Sequence, residues 1–268
     1  NVKWSFIKPI NPNEEIVWTG KTSDDWNDVS NWKPSRAVIA TDDVIIPTNV
    51  EGVAVVRMPT IVGGSHLFNR LTVKDGGKWM STATEYPSGT TEDAYLAGGL
   101  VVGYGAAGVL NICDGGVVSN KLYVGGGRQS NTYSYGDGGV YVGNGGRLFM
   151  VSALGANWPS ASLIGAYGYG YLQVEPGATV EAGDPKASTF VIGGYGPAVV
   201  HLYGGSFRKT GGCALASAGT DTMSPDAGGH GDVSADLYVK DGTFKLGTYG
   251  IGLHLKNVFL HGLLSLGL

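Results

Sequence analysis

The segment LVVGYGAAGVLNICDGGVVS, residues 100–119, reads strand, glycine turn, strand, Gly-Gly turn, short strand, and the chain keeps returning to that line. KLYVGGG (121–127) opens a further copy, continued after an insertion by GGVYVGNGGRLFMVS (138–152). SLIGAYGYGYLQVEPGATVEAG (162–183) and TFVIGGYGPAVVHLYGGSFRKTG (189–211) are nearly complete copies. LTVKDGGKWMST (71–82) is an early one and ADLYVKDGTFKLGT (235–248) a degraded one. The copies begin near Val102, Val124, Ile164 and Ile192, a spacing of about 22 to about 40 residues. Short coils carrying loops inserted on one face give such a range.

One copy contains the physics of all of them. In Leu110-Asn111-Ile112-Cys113 and Tyr171-Leu172-Gln173-Val174, alternate side chains belong to opposite faces of a strand. One set fills an interior and the other faces out. Gly115-Gly116, Gly145-Gly146 and Gly204-Gly205 supply the positive φ that β-branched residues cannot adopt cheaply. Asp114, Asp137 and Asp241, each before glycine, are turn residues for a related reason. The expected fold is all-β: a β-solenoid of stacked parallel strands, whose coils are stable only between neighbours.

Composition agrees with this reading. Glycine supplies 46 of 268 residues, without a Gly-X-Y period, so the chain is not collagen. A hydrophobic share of 43% excludes a disordered Gly-rich linker. With 15% charged residues, a net charge of −4 and no basic stripe, nucleic acid is a poor partner. No apolar run is long enough to be a transmembrane helix. Cys113 and Cys213 lie several coils apart, so no bridge between them is expected. The chain starts at Asn1 rather than Met, which fits a secreted protein after signal removal.

Three regions follow. Residues 1–16 form an N-terminal strand arm and linker, with Val2, Trp4 and Phe6 alternating before Pro9 and Pro12. Residues 17–66 form a Trp-rich N-terminal cap with the first strands, where Trp18, Trp26 and Trp32 are expected to pack as a local core. Residues 67–268 hold the solenoid repeats.

The copies at 100–118 and 163–180 resemble the autotransporter-associated and PEP-CTERM-associated repeats of large bacterial surface proteins, and WTGKTSDDWNDVSNW (18–32) resembles the element that often precedes them. The resemblance implies a right-handed parallel β-helix and an exported protein at the bacterial cell surface. It carries no shared catalytic motif, and it does not extend to the outer-membrane barrel or sorting helix of such proteins.

Candidate sites are few. No nucleophile elbow, P-loop or His-x-His spacing occurs, so no enzyme is expected. Asp24, Asp25 and Asp28, with Asp42 and Asp43 nearby, are the one acidic cluster; they are candidates for Ca²⁺ but fit turn and capping roles better. No other cofactor is expected. Glu175 and His201, on consecutive copies, are residues that stacking would bring together. Tyr167, Tyr169 and Tyr171 alternate and would project from one face, where Tyr167 and Tyr169 could stack on sugar rings. That is the basis of an alternative expectation, a solenoid that binds or degrades polysaccharide. The leading expectation comes from the ends. The chain closes on IGLHLKNVFLHGLLSLGL without a polar cap. A strand offered by one copy to a neighbour's open edge generates filaments. Copies would meet head to tail through Val2, Trp4, Phe6 and Ile7 at one end and Phe259, Leu263, Leu264, Leu266 and Leu268 at the other.

Overall fold

The computed structural model describes residues 15–23, 25, 28–39, 42–47, 55–58, 70–81, 99–103, 107–129, 132–134, 136–150, 162–182, 190–209, 213–215, 235–246 and 251–253. Among them the fold is all-β with long parallel sheets, consistent with a β-solenoid. The one helical turn described is a 3-10 turn at Val29–Asn31, and no described helix is long and apolar enough to cross a membrane.

Period-two segments become strands that stack copy on copy. The first sheet runs in spatial order through β2 (Trp32–Lys33), β1 (Glu15–Trp18), β3 (Asp43–Ile46), β5 (Arg70–Val73), β8 (Gly108–Ile112), β12 (Gly138–Val142), β15 (Gly170–Val174), β18 (Ala198–Tyr203) and β21 (Ala235–Lys240). All neighbours are parallel except β1 and β2. A second face stacks β4 (Val55–Met58), β6 (Lys78–Ser81), the first half of β9 (Val117–Val124), β13 (Arg147–Met150), β16 (Thr179–Ala182), β19 (Ser206–Lys209) and β22 (Thr243–Leu246). The third stacks β7 (Gly99–Val102), the second half of β9, β14 (Leu163–Ile164), β17 (Phe190–Ile192), β20 (Cys213–Leu215) and β23 (Ile251–Leu253). From β5 onward, each coil visits the first, second and third face in turn.

The positions expected to open the copies are equivalent in space. Val102 pairs with Val124, Val124 with Ile164, and Ile164 with Ile192. Inward residues form continuous rows in the same way. Ile16, Val44, Leu71, Leu110, Val140, Leu172, Val200 and Leu237 follow one another across the first sheet, all at most 3% exposed. Trp79, Val118, Leu148, Val180, Phe207 and Phe244 do the same across the second. Phe207 and Phe244 stack with centroids 4.9 Å apart.

Loops enter at two corners, where one face was expected. From β5 onward, the turn between first and second faces stays short in every coil, while the corners on either side of the third face vary. One of those holds the antiparallel hairpin of β10 (Gly127–Gln129) and β11 (Thr132–Ser134). The constant corner explains the glycine pairs. Gly115 has φ +78°, as expected, but Gly116 serves contact: a Cβ there would lie 2.2 Å from the Val73 carbonyl oxygen of the preceding coil. So one glycine supplies the turn and the next supplies close stacking.

The Trp-rich segment joins the column. Trp18 and Trp32 meet edge to face at 4.9 Å and belong to the main core; Trp26 lies outside the described residues. Asn31, fully buried, organises the connection. Its side-chain oxygen accepts from the amides of Thr22 and Ser23, and its amide nitrogen donates to Ser23 Oγ and the Asp25 carbonyl.

Candidate functional site on the outer face of the first sheet

Outward positions of the first sheet stack like the inward ones. Tyr141, Gln173, His201 and Tyr238 occupy one row on β12, β15, β18 and β21. Beside it run Gly139, Tyr171, Val199 and Asp236. Tyr203, two residues after His201, brings a third aromatic ring to the imidazole. His201 meets Tyr171, Tyr203 and Tyr238 edge to face, with centroids 5.4, 5.2 and 4.6 Å away.

Polar atoms join these rings into a chain. The Tyr171 hydroxyl donates to Gln173 Oε1, and Gln173 Nε2 donates to Glu175 Oε1. His201 Nδ1 lies 2.8 Å from Tyr203 Oη and 3.3 Å from Tyr171 Oη. Stacking thus sets Gln173, not the expected Glu175, beside His201, and Glu175 is linked to the imidazole only through Gln173 and Tyr171. Partial burial disfavours the charged imidazole: desolvation lowers the His201 pKa against an opposing effect of Asp236. Desolvation, with Asp236 and Asp137 nearby, pushes the Tyr169 phenol up to about 12. Tyr171 moves in the same direction, again chiefly through burial. Tyr141 is 39% exposed.

The predicted tyrosine row needs correction. Tyr167 is 7% exposed and stacks on Tyr195, 5.1 Å away, against Tyr123, Leu163 and Ala166 outside the third sheet. Residues 165–168 form a bend, with Gly165 at φ +75°, so period-two alternation does not extend through them. Tyr167 is thus no platform for sugar. Tyr169 is half-buried and immediately precedes β15, its carbonyl accepting from the Gly138 amide at 2.8 Å. Sequence reasoning missed Tyr141, Tyr203, Asp236 and Tyr238. Aligning the copies on their inward residues in GVYV, YLQV, VVHL and DLYV would have lined up Tyr141, Gln173, His201 and Tyr238.

The acidic cluster has structural partners. Asp28 caps the 3-10 turn, accepting from the Ser30 hydroxyl and amide, which lowers its pKa. Asp25 supplies its carbonyl to Asn31, and Asp42 pairs with Arg36 at 2.7 Å. Asp24 lies outside the described residues. Among the described residues no group of three His, Cys, Asp or Glu side chains could hold a metal ion. Cys113 is a free thiol, its pKa pushed up to about 11 by burial and by Asp114. Val2, Trp4, Phe6, Ile7, Phe259, Leu263, Leu264, Leu266 and Leu268 all lie outside the described residues.

No family model, curated protein or solved structure matches the chain.

Proposed function

We propose that this chain is a structural subunit of an extracellular filament or surface layer, built as a right-handed parallel β-helix. Residues 17–66 form its Trp-rich cap, and the residues before β1, 1–14, an arm that a neighbouring copy receives; Glu15 and Ile16, expected in that arm, pair instead with Asp43 and Val44 of the same chain. The observation that supports this reading most directly is the constant register of the column. Every parallel pair along the first sheet joins equivalent positions, from Ile16 to Leu237. A second copy could continue that ladder without a change of register, and a head-to-tail contact of this kind does not close on itself. The apolar alternation of Val2, Trp4 and Phe6 suits a donated strand. Phe259, Leu263, Leu264, Leu266 and Leu268 offer the apolar receiving end. Low charge, abundant glycine turns and the likeness to bacterial surface repeats support export.

Electron microscopy and sedimentation of the full chain test the proposal. Fibres with an axial repeat set by one column are expected, and deletion of residues 1–8 should leave folded monomers. Fibres that persist after the deletion, or a wild-type chain that stays monomeric at high concentration, would overturn it.

A further inference from the structure

We propose that the outer face of the first sheet, from β12 to β21, is a binding strip for a neutral carbohydrate chain. This assignment is independent of the assembly reading, because it uses none of the residues placed at the column's ends.

The row Tyr141, Gln173, His201, Tyr238 crosses three inter-strand spacings, about 14 Å at the usual separation of strands. That length accommodates a short oligosaccharide laid along the column. A sugar ring presents an apolar C–H face and a rim of hydroxyls, so it needs aromatic surface and fixed polar atoms side by side. Here Tyr141 and Tyr238 bracket an amide and an imidazole that are already hydrogen-bonded to Tyr171, Tyr203 and Glu175. Such a network is held before a ligand arrives, which reduces the ordering that binding requires. Tyr171, 7% exposed, lies beneath this surface and holds the polar chain in place, while Tyr141, 39% exposed, offers ring surface to a ligand.

Charge narrows the ligand. Glu175, Asp236 and the exposed Asp137 border the strip, and Lys240 at the end of β21 is the basic residue on the same strands. Carboxylates accept sugar hydroxyls but repel uronates and sulfated glycans. The outer face of the second sheet differs: Arg147, Arg208 and Lys245 stand exposed there.

Affinity electrophoresis of the full chain against hydroxyethylcellulose, galactomannan, polygalacturonate and chitosan oligomers decides the matter. Retardation by at least one of the two neutral polymers, unchanged by added salt, is expected. Tyr141→Ala and Tyr238→Ala should each weaken it about tenfold, with circular dichroism unchanged. Phe149→Ala, on the second sheet, should leave it intact. If Tyr238→Ala does not fold, the exposed Tyr141 carries the test alone. Failure to bind either neutral polymer overturns the proposal. So does binding confined to polygalacturonate, binding confined to chitosan and abolished by salt, or equal loss in Phe149→Ala.

Discussion

The first and second sheets are built alike inside and differently outside. Inward, both present unbroken apolar rows, Leu110 to Leu237 in one and Trp79 to Phe244 in the other. Outward, the first gathers partly buried aromatic rings around His201, whereas the second carries exposed charges such as Arg147, Arg208 and Lys245. Glu181 and Arg208 are register partners there. Stacking demands the same thing of every interior position and leaves the exterior free. The interior therefore specifies the column, and the exterior is where one face can acquire a function that another lacks.

If the interior rows hold the column together, their largest members are the place to break it. Phe207 is fully buried and stacked on Phe244. Phe207→Ala should cost about 3–5 kcal/mol, read as a lower denaturant midpoint or melting temperature. A cost near that of a surface substitution would show that coils adjust independently and that the row is not a unit.

The two glycines of one corner offer a sharper contrast. Gly115→Ala must hold a left-handed residue, a cost of about 1–2 kcal/mol. Gly116→Ala meets the Val73 carbonyl oxygen at 2.2 Å, a backbone atom that cannot swing aside. Overpacking of that kind costs about 1–3 kcal/mol, and it should also loosen the neighbouring coil. Hydrogen exchange at Cys113, whose amide donates to the Val73 carbonyl, would report that loosening. Slower exchange in Gly116→Ala than in Gly115→Ala would remove the distinction.

These corners show what the sequence makes legible. Period-two apolarity and Gly-Gly punctuation are local, so the strands and the equivalence of Val102, Val124, Ile164 and Ile192 can be read directly. The reason for the second glycine is not local, because its obstacle, the Val73 carbonyl, belongs to another coil. The aromatic cluster was hidden for the same reason. Tyr141 and His201 are sixty residues apart in the chain, and insertions of unequal length between copies conceal their common row. Tyr167 failed in the opposite way: its alternation with Tyr169 and Tyr171 is real in the sequence, but a bend at 165–168 turns it toward the third sheet.

The outer cluster should shape the pH dependence of stability. Folded Tyr169 and Tyr171 hold their protons above the ordinary value of 10.0. The folded state thus binds more protons than the unfolded one at alkaline pH. Their contribution is full below pH 10 and is lost as pH rises through the folded values. His201 is lowered from 6.5, so the unfolded state binds more protons on the acid side. That contribution is full above pH 6.5 and declines as pH falls toward the folded value. The double variant Tyr169→Phe, Tyr171→Phe should flatten the alkaline limb of a melting-temperature profile, and His201→Gln the acid limb. At neutral pH, Tyr171→Phe alone should cost about 0.5–1.5 kcal/mol for the hydroxyl's lost partners. Limbs unaltered by these changes would mean that the rings are as solvated as free side chains.

The smallest effects belong to the second sheet's exterior, and they complete the comparison. Arg208 is exposed, and its register neighbour Lys245 carries the same charge. Arg208→Ala removes one member of that pair and its attraction to Glu181, two exposed influences of opposite sign. Surface charges of this kind change stability by no more than about 0.5 kcal/mol, and added salt should erase even that difference. The same substitution should leave the pH limbs set by Tyr169, Tyr171 and His201 where they were, because those groups face outward from a different sheet. An Arg208→Ala variant that melted as early as Tyr171→Phe would show the two exteriors to be equally built, and the functional asymmetry assigned to the first sheet would lose its physical basis.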